Sequence, residues 1–176
     1  MQKLIFRGSL LQFFLLWIPL HCVPDFYVPN FHSLGVSAMS MKCIVVTPEK
    51  TALTQEADFV VIPLVDGECG ILPNHAPLIA RLGAGELRIT GTDGQRTHYY
   101  IEGGFAEVLD NTIALLTMYA LPAEDLNLAD AEKELETELA TLDDSPELAE
   151  IRQQKLSQRR AKVRVAQKMS ERTGSR

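Results

Sequence analysis

The residues best suited to chemistry gather in one stretch, residues 66–78, which reads DGECGILPNHAPL. His75 could serve as a general base if an acid oriented its ring, and Glu68 and Asp66 are the nearby acids. Cys69 could serve as a nucleophile only if basic neighbours drew its thiol towards thiolate, and its sequence neighbours Glu68 and Gly70 are not basic. Metal binding by His75, His98 and Glu68 has no ligand spacing behind it. Gly83, Gly85, Gly91 and Gly94 fall between short strands, where they form neither a phosphate loop nor a dinucleotide fingerprint. No catalytic, metal or cofactor site is therefore expected. What remains is rigidity: Gly67 and Gly70 permit backbone angles that other residues resist, while Pro73 and Pro77 fix φ and withhold amide donors. Such a loop holds a shape and presents it, and a structural or interface role is the expectation.

The flanking segments are short runs of β-branched and apolar residues separated by turn signals, the pattern of a sandwich or barrel. Strands are expected at 42–47 (KCIVVT), 57–64 (ADFVVIPL), 86–90 (ELRIT), 95–101 (QRTHYYI), 105–109 and 112–119 (TIALLTMY). Shorter pieces are expected around Leu53, at 70–72 and at 79–82, giving eight to ten strands. Asp93-Gly94 marks a hairpin turn, because glycine accepts the positive φ that such turns demand. Pro63 and the glycines argue for bulges or edges, not a flat sheet. His98 is read as a residue that simply points to one face.

After Pro122 the composition changes. Residues 124–150 carry eleven acids and one base, Lys133, with Leu128, Ala131, Leu135, Leu139 and Leu142 at helical spacing. Asp143-Asp144-Ser145-Pro146 interrupts, and a second helix is expected from Glu147, since proline suits a helix start. Residues 147–176 hold nine bases, among them Arg152, Lys155, Arg159, Arg160, Lys162 and Arg164, against three acids. Leu148, Ile151, Leu156, Val163 and Ala166 form a thin apolar line. An acidic helix followed by a basic one is expected to fold as an antiparallel hairpin, weakly attached because exposed ion pairs contribute only ~0–1 kcal/mol each. The fold class is thus β plus α: an N-terminal β-sandwich of about ten short strands at 41–122, then a two-helix antiparallel hairpin at 123–176.

Net charge of −6 argues against general nucleic-acid binding, which needs a basic excess. Cys22, Cys43 and Cys69 are odd in number and lack a CxxC pair, so they read as reduced thiols. Residues 1–40 look foreign to the rest: Lys3 and Arg7 precede an apolar run at 10–20 (LLQFFLLWIPL), shorter than the ~20 residues a bilayer span takes. With Met39 and Met41 standing where the periodic chain begins, an over-long start is preferred to a targeting segment or a structured extension. No bilayer insertion is expected of residues 41–176.

Taken together, the DGECGILPNHAPL stretch and the run Tyr100-Ile101-Glu102-Gly103-Gly104-Phe105-Ala106-Glu107-Val108 resemble the epsilon subunit of bacterial F-type ATP synthases. The first follows that family's E/D-G-E-x-G-I-x-P-x-H-A-P-L pattern, the second its glycine pair followed by E-V, and the β-then-helices order agrees. The resemblance implies a non-catalytic central-stalk subunit, peripheral on the cytoplasmic face of the cell membrane. Its β domain would bind the gamma subunit and the c-ring, with Glu68, His75, Ala76, Pro77 and Leu78 on the ring side. Its helices would lie folded or extend along gamma. Extended, they would meet the catalytic beta subunits through the basic residues Arg152, Lys155, Arg159, Arg160, Lys162 and Arg164 and hold back ATP hydrolysis. One departure matters. Some members bind ATP through L-D-x-x-R-A at the start of the first helix, but here the residues are Leu126-Asn127-Leu128-Ala129-Asp130-Ala131. The acid is an asparagine and the arginine an aspartate, so no useful ATP binding by the subunit alone is expected. A free-standing β-sandwich binding module is the rival from another class.

Overall fold

The computed structural model describes residues 40–140 and 148–174. The expectations for residues 1–39 and for the break at Asp143 to Pro146 lie outside the described residues. Among those described, nine strands lead into a single 3-10 turn and two helices. The strands are β1 (Met41–Val46), β2 (Thr51–Leu64), β3 (Gly67–Ile71), β4 (Leu78–Leu82), β5 (Gly85–Gly91), β6 (Arg96–Ile101), β7 (Gly104–Leu109), β8 (Thr112–Leu116) and β9 (Ala120–Pro122). The turn covers Ala123–Asp125, and the helices are α1 (Leu128–Ala140) and α2 (Ala149–Gly174).

One strand belongs to both layers of the sandwich. The first half of β2 pairs antiparallel with β1, from Met41 opposite Ala57 to Val46 opposite Thr51. Its second half lies between β3, with Val60 opposite Ile71, and β5, with Val60 opposite Ile89. A register shift between Ala57 and Phe59 marks the irregularity where the strand passes from one layer to the other, and another lies at its start, opposite Val45 and Val46. The first layer continues from β1 through β8 and β7 to β4, and the second from β5 through β6 to β9. The separate pieces expected around Leu53 and at 57–64 are therefore one strand of 14 residues. The strand expected at 112–119 is instead divided: Thr117, 4% exposed, places its hydroxyl 3.2 Å from the Glu102 carbonyl and 3.1 Å from that of Tyr119, and the chain turns there into β9.

Turn chemistry follows the residue types. Gly94, at φ +77°, donates its amide to the Gly91 carbonyl, and Gln95 donates to the Asp93 carboxylate. Asp110 and Asn111 both take positive φ between β7 and β8, the geometry that tight hairpins require. Alternate residues of both layers meet in one core that includes Met41, Val45, Val60, Ile62, Leu87, Ile89, Ile101, Ile113 and Leu115. Cys43 is a free thiol in that core, and burial pushes its pKa up to about 12.

Asn127 starts α1, its side-chain oxygen accepting the Ala129 amide at 2.9 Å. The thin apolar line expected along α2 is only partly a seam. Leu148 and Ile151 are exposed, whereas Ala161, Val163, Val165 and Ala166 are buried. The C-terminal half of α2 packs down: Ala161 and Val165 join Tyr100 and Ala123 in a second apolar cluster, with Ala84, Leu126 and Met169 against it. Small side chains at 161 and 166 let the helix approach closely. Leu126, just ahead of α1, lies at this cluster, while Glu134 further along α1 reaches Arg159 and Lys162, so the two helices run antiparallel. No helix among the described residues is long and apolar enough to cross a membrane.

Candidate functional site

The stretch 66–78 is not one loop, because Gly67–Ile71 pairs with β2 as β3 and Leu78 opens β4; the loop left between them, 72–77, is held from two directions. The Asn74 amide donates to the Asn111 side-chain oxygen at 2.6 Å, and the Asn111 amide group donates back to Asn74 at 3.4 Å. The loop is thereby clamped to the β7–β8 turn, with Asn74 at φ +63°, a conformation asparagine tolerates. The His75 amide donates to the Leu72 carbonyl, and His75 Nδ1 lies 2.8 Å from the carbonyl of Ala76. That ring is oriented by backbone, not by a carboxylate. Glu68 is engaged elsewhere: both its oxygens accept from Arg88, at 2.6 and 3.2 Å. The sequence brings Glu68 and His75 into one stretch, but the fold gives them different partners. Ala76 and Pro77 are exposed and Leu78 is half-buried at the start of β4.

Beside this loop the outer face of β4, β7 and β8 exposes large apolar side chains around the charged residues Arg81 and Glu107. Phe105 stands opposite Arg81 on one side and Leu116 on the other, and Ile79 stands opposite Glu107. Ile79 is 78% exposed, Phe105 59% and Met118 72%, with Leu109 and Leu116 about half exposed. Exposed large apolar side chains grouped in this way, with Arg81 and Glu107 between them, suit contact with a partner.

The outer face of the other layer is covered. Along β5, Leu87 and Ile89 turn into the core, so Glu86 and Arg88 turn outwards beneath α2, beside Tyr100 and His98 of β6. Glu86 is 3% exposed and is ringed by Arg88, Lys168, Arg172 and the His98 imidazole. Its Oε1 accepts from Arg172 Nη1 at 2.7 Å and lies 2.9 Å from His98 Nδ1. Its Oε2 lies 3.3 Å from Arg88 Nη1 and 3.7 Å from Lys168 Nζ. Burial alone pushes this carboxyl up; the hydrogen bonds from His98 and Arg172 and the charges of Arg172 and Arg88 outweigh it and hold the group down at about 2. His98, read from sequence as merely facing one side, is thus part of the helix contact. Glu86, Lys168, Arg172 and Tyr100 were not among the expected site residues. The signal for Glu86 was the alternation of ELRIT, which puts an acid and a base on the outward face of one strand.

Of the expected basic residues, Arg159 and Lys162 bind Glu134 at 2.8 Å each, the acidic helix meeting the basic one. Lys155, Arg160 and Arg164 are exposed. The hollow between the helices is lined by Asp130, Lys133, Glu134, Thr137, Glu138 and Arg159, so three carboxylates face it.

Comparison with known proteins places these features in a family. Residues 40–123 match the family described as ATP synthase, Delta/Epsilon chain, beta-sandwich domain. The ATP synthase epsilon chain of Rhodopirellula baltica is 41% identical over 128 residues, 73% of this chain and 99% of its own length. The chain belongs to the ATP synthase epsilon chain family. A Desulfitobacterium hafniense epsilon chain is 42% identical over 123 residues, covering 69% of this chain and 90% of its own. Two solved structures share the fold. A chain of the Euglena gracilis mitochondrial ATP synthase superposes with a TM-score of 0.63 at 22% identity, covering 82% of this chain and 96% of its own. One of the Tetrahymena thermophila mitochondrial ATP synthase central stalk and c-ring does so at 0.56 and 15%, covering 74% and 99%. In this epsilon-family chain the sandwich accounts for the matched domain, and α1 and α2 follow it.

Proposed function

We propose that this epsilon-family chain is a non-catalytic rotor subunit of the central stalk, peripheral on the cytoplasmic face of the membrane. It couples ion flow through the c-ring to ATP synthesis by joining gamma to that ring. The observation that carries the reading is the exposed apolar face of Ile79, Phe105, Leu116 and Met118 next to a clamped polar loop. The apolar face suits a permanent contact with gamma, and the loop of His75, Ala76, Pro77 and Leu78 suits contact with the ring's polar surface. Glu68 adds a charge to that side although Arg88 shares it. Co-purification tests the first part: wild-type protein recovers gamma, while Phe105→Glu reduces recovery strongly with the sandwich still folded. Undiminished recovery with that variant would refute the assignment of this face.

The helices supply a regulatory element. The attachment of α2 to the sandwich rests on Ala161, Val165 and Met169 around Tyr100, the Tyr100–Gln158 hydrogen bond and the Glu86 cluster, a contact small enough to release. Released, the basic residues of α2 reach acidic surfaces of the catalytic beta subunits and restrain hydrolysis. Deleting residues 147–176 leaves assembly intact and raises ATP hydrolysis by the complex; unchanged hydrolysis would remove the inhibitory role. Asn127 is occupied as a helix cap, and Asp130 adds a carboxylate to the interhelical hollow where the motif has an arginine, so the subunit alone does not bind Mg-ATP usefully.

A further inference from the structure

Arg88 is shared. Its guanidinium gives two hydrogen bonds to Glu68 on β3 and a longer contact to Glu86 on its own strand. Glu86 in turn holds Arg172 and Lys168, near the C-terminal end of α2. A continuous chain of charges therefore runs from the stretch of residues 66–78 to the tail: Glu68, Arg88, Glu86, then the two cations of α2. Within it Arg88 and Lys168 share one Glu86 oxygen and Arg172 takes the other, so three cations draw on the charge of one carboxylate.

We propose that Arg88 couples the tail to the ring-side surface, so that a cationic group of a partner protein engaging Glu68 loosens α2. The proposal rests on the reading above, in which Glu68 lies on a partner-facing side and the tail can lift. A partner cation at Glu68 replaces Arg88 there. Arg88 then turns wholly to Glu86, neutralises it and repels Lys168 and Arg172, and the end of α2 loses its anchor. Linkage makes the effect reciprocal: when α2 leaves, Glu86 draws Arg88 to itself and Glu68 becomes available to the partner. Compression into one buried carboxylate is what makes the competition matter, because Glu86 is shielded from water while the other ends are exposed.

The sign pattern of substitutions tests this without any partner. Amide hydrogen exchange of residues 161–172 is measured in the isolated full-length chain, with the strands of the core as internal reference. Glu86→Gln speeds exchange of α2 by about tenfold, since charge-assisted bonds to a buried carboxylate are lost. Glu68→Gln, which frees Arg88 for Glu86, speeds it roughly two- to fivefold, and Arg88→Gln slows it by a similar factor. Combined with Glu86→Gln, Glu68→Gln has no further effect. A merely structural role for these residues moves Glu68→Gln and Arg88→Gln in the same direction, or moves neither; either result overturns the coupling, as does additivity in the double variant. Because no partner is present, a failed sign pattern overturns the coupling and leaves the ring-side assignment of Glu68 standing, whereas loss of that assignment leaves the intramolecular exchange pattern unchanged.

Discussion

Tyr100 is the place where a single atom tests how the tail is held. Its ring is fully buried under α2, edge-on to Tyr119 with centroids 6.4 Å apart and planes at 62°. Its hydroxyl lies 3.0 Å from the carbonyl of Gln158 in α2 and 3.0 Å from Glu102. Tyr100→Phe keeps the ring, its apolar burial and the edge contact, and removes one donated hydrogen. Gln158 is a carbonyl inside a helix and Glu102 is half-buried, so neither acceptor is stranded by the change. The loss is then the net value of one hydrogen bond, ~1 kcal/mol, or about a fivefold rise in the open fraction of the tail. Hydrogen exchange should show that rise in residues 158–169 and leave the amides of β1, β7 and β8 unchanged. Alkaline pH provides a second reading. Burial, and then the negative charge of Glu102, raise the Tyr100 phenol above its ordinary value near 10. A group raised in the folded state gives its full contribution below the ordinary value and loses it as pH rises past it. The tail of the wild-type protein should therefore loosen above about pH 10, and Tyr100→Phe should shrink that loosening. Tyr99 will retain part of it, being raised by burial and by Asp125 and Glu124. Unchanged exchange in Tyr100→Phe, or a uniform rise across both layers, would refute the idea that this hydroxyl fastens the helix.

Three further outcomes follow from other parts of the molecule. Glu86 is held at about 2 against an ordinary 4.5, so its contribution is whole above 4.5 and is lost as pH falls towards 2; it is worth ~3 kcal/mol at most, because its partners are partly exposed. Circular dichroism and exchange between pH 5 and 2 should show α2 loosening in that window, and a tail that loosens already between pH 7 and 5 would contradict it. Gly104→Ala should unfold the sandwich, costing more than ~3 kcal/mol, because a Cβ at φ +114° would collide with the Leu116 carbonyl oxygen; a thermal transition close to wild type would disprove the clash. Asn111→Gly keeps the backbone free to adopt φ +56° and removes only the clamp on Asn74, so exchange of the 74 and 75 amides should rise about fivefold, a loss of ~1 kcal/mol, with the core unaffected.

What could be read in the sequence was whatever local chemistry decides. Asp93-Gly94 and Asp110-Asn111 turn where their backbone preferences put them, and the alternation of ELRIT and the β-branched 57–64 run became strands because those patterns match a pleat with one buried face. The length of β2 was not legible, since Gln55 and Glu56 interrupt the apolar run although the strand continues through them to pair with β1. Likewise Thr112 to Tyr119 looks like one strand until Thr117 turns the chain back towards Glu102.

The tail shows most clearly where local reading stops. Sorting acids into α1 and bases into α2 suggested that the helices hold one another, and Glu134 with Arg159 and Lys162 bears that out at one level. The bases beyond them go elsewhere. Lys168 and Arg172 turn to Glu86 on the sandwich, and the buried apolar contacts of α2 lie in the same half of the helix. Charge count along a helix cannot distinguish a base that faces another helix from one that faces a strand 86 residues earlier, because only tertiary packing decides which acid is near. The consequence is mechanical. The ion pairs between α1 and α2 are partly exposed and travel with the hairpin, so they do not oppose its release from the sandwich. The contacts that must break are those of Tyr100, Glu86 and the Ala161–Val165 cluster, and the strength of the tail's attachment is set on the β5–β6 face.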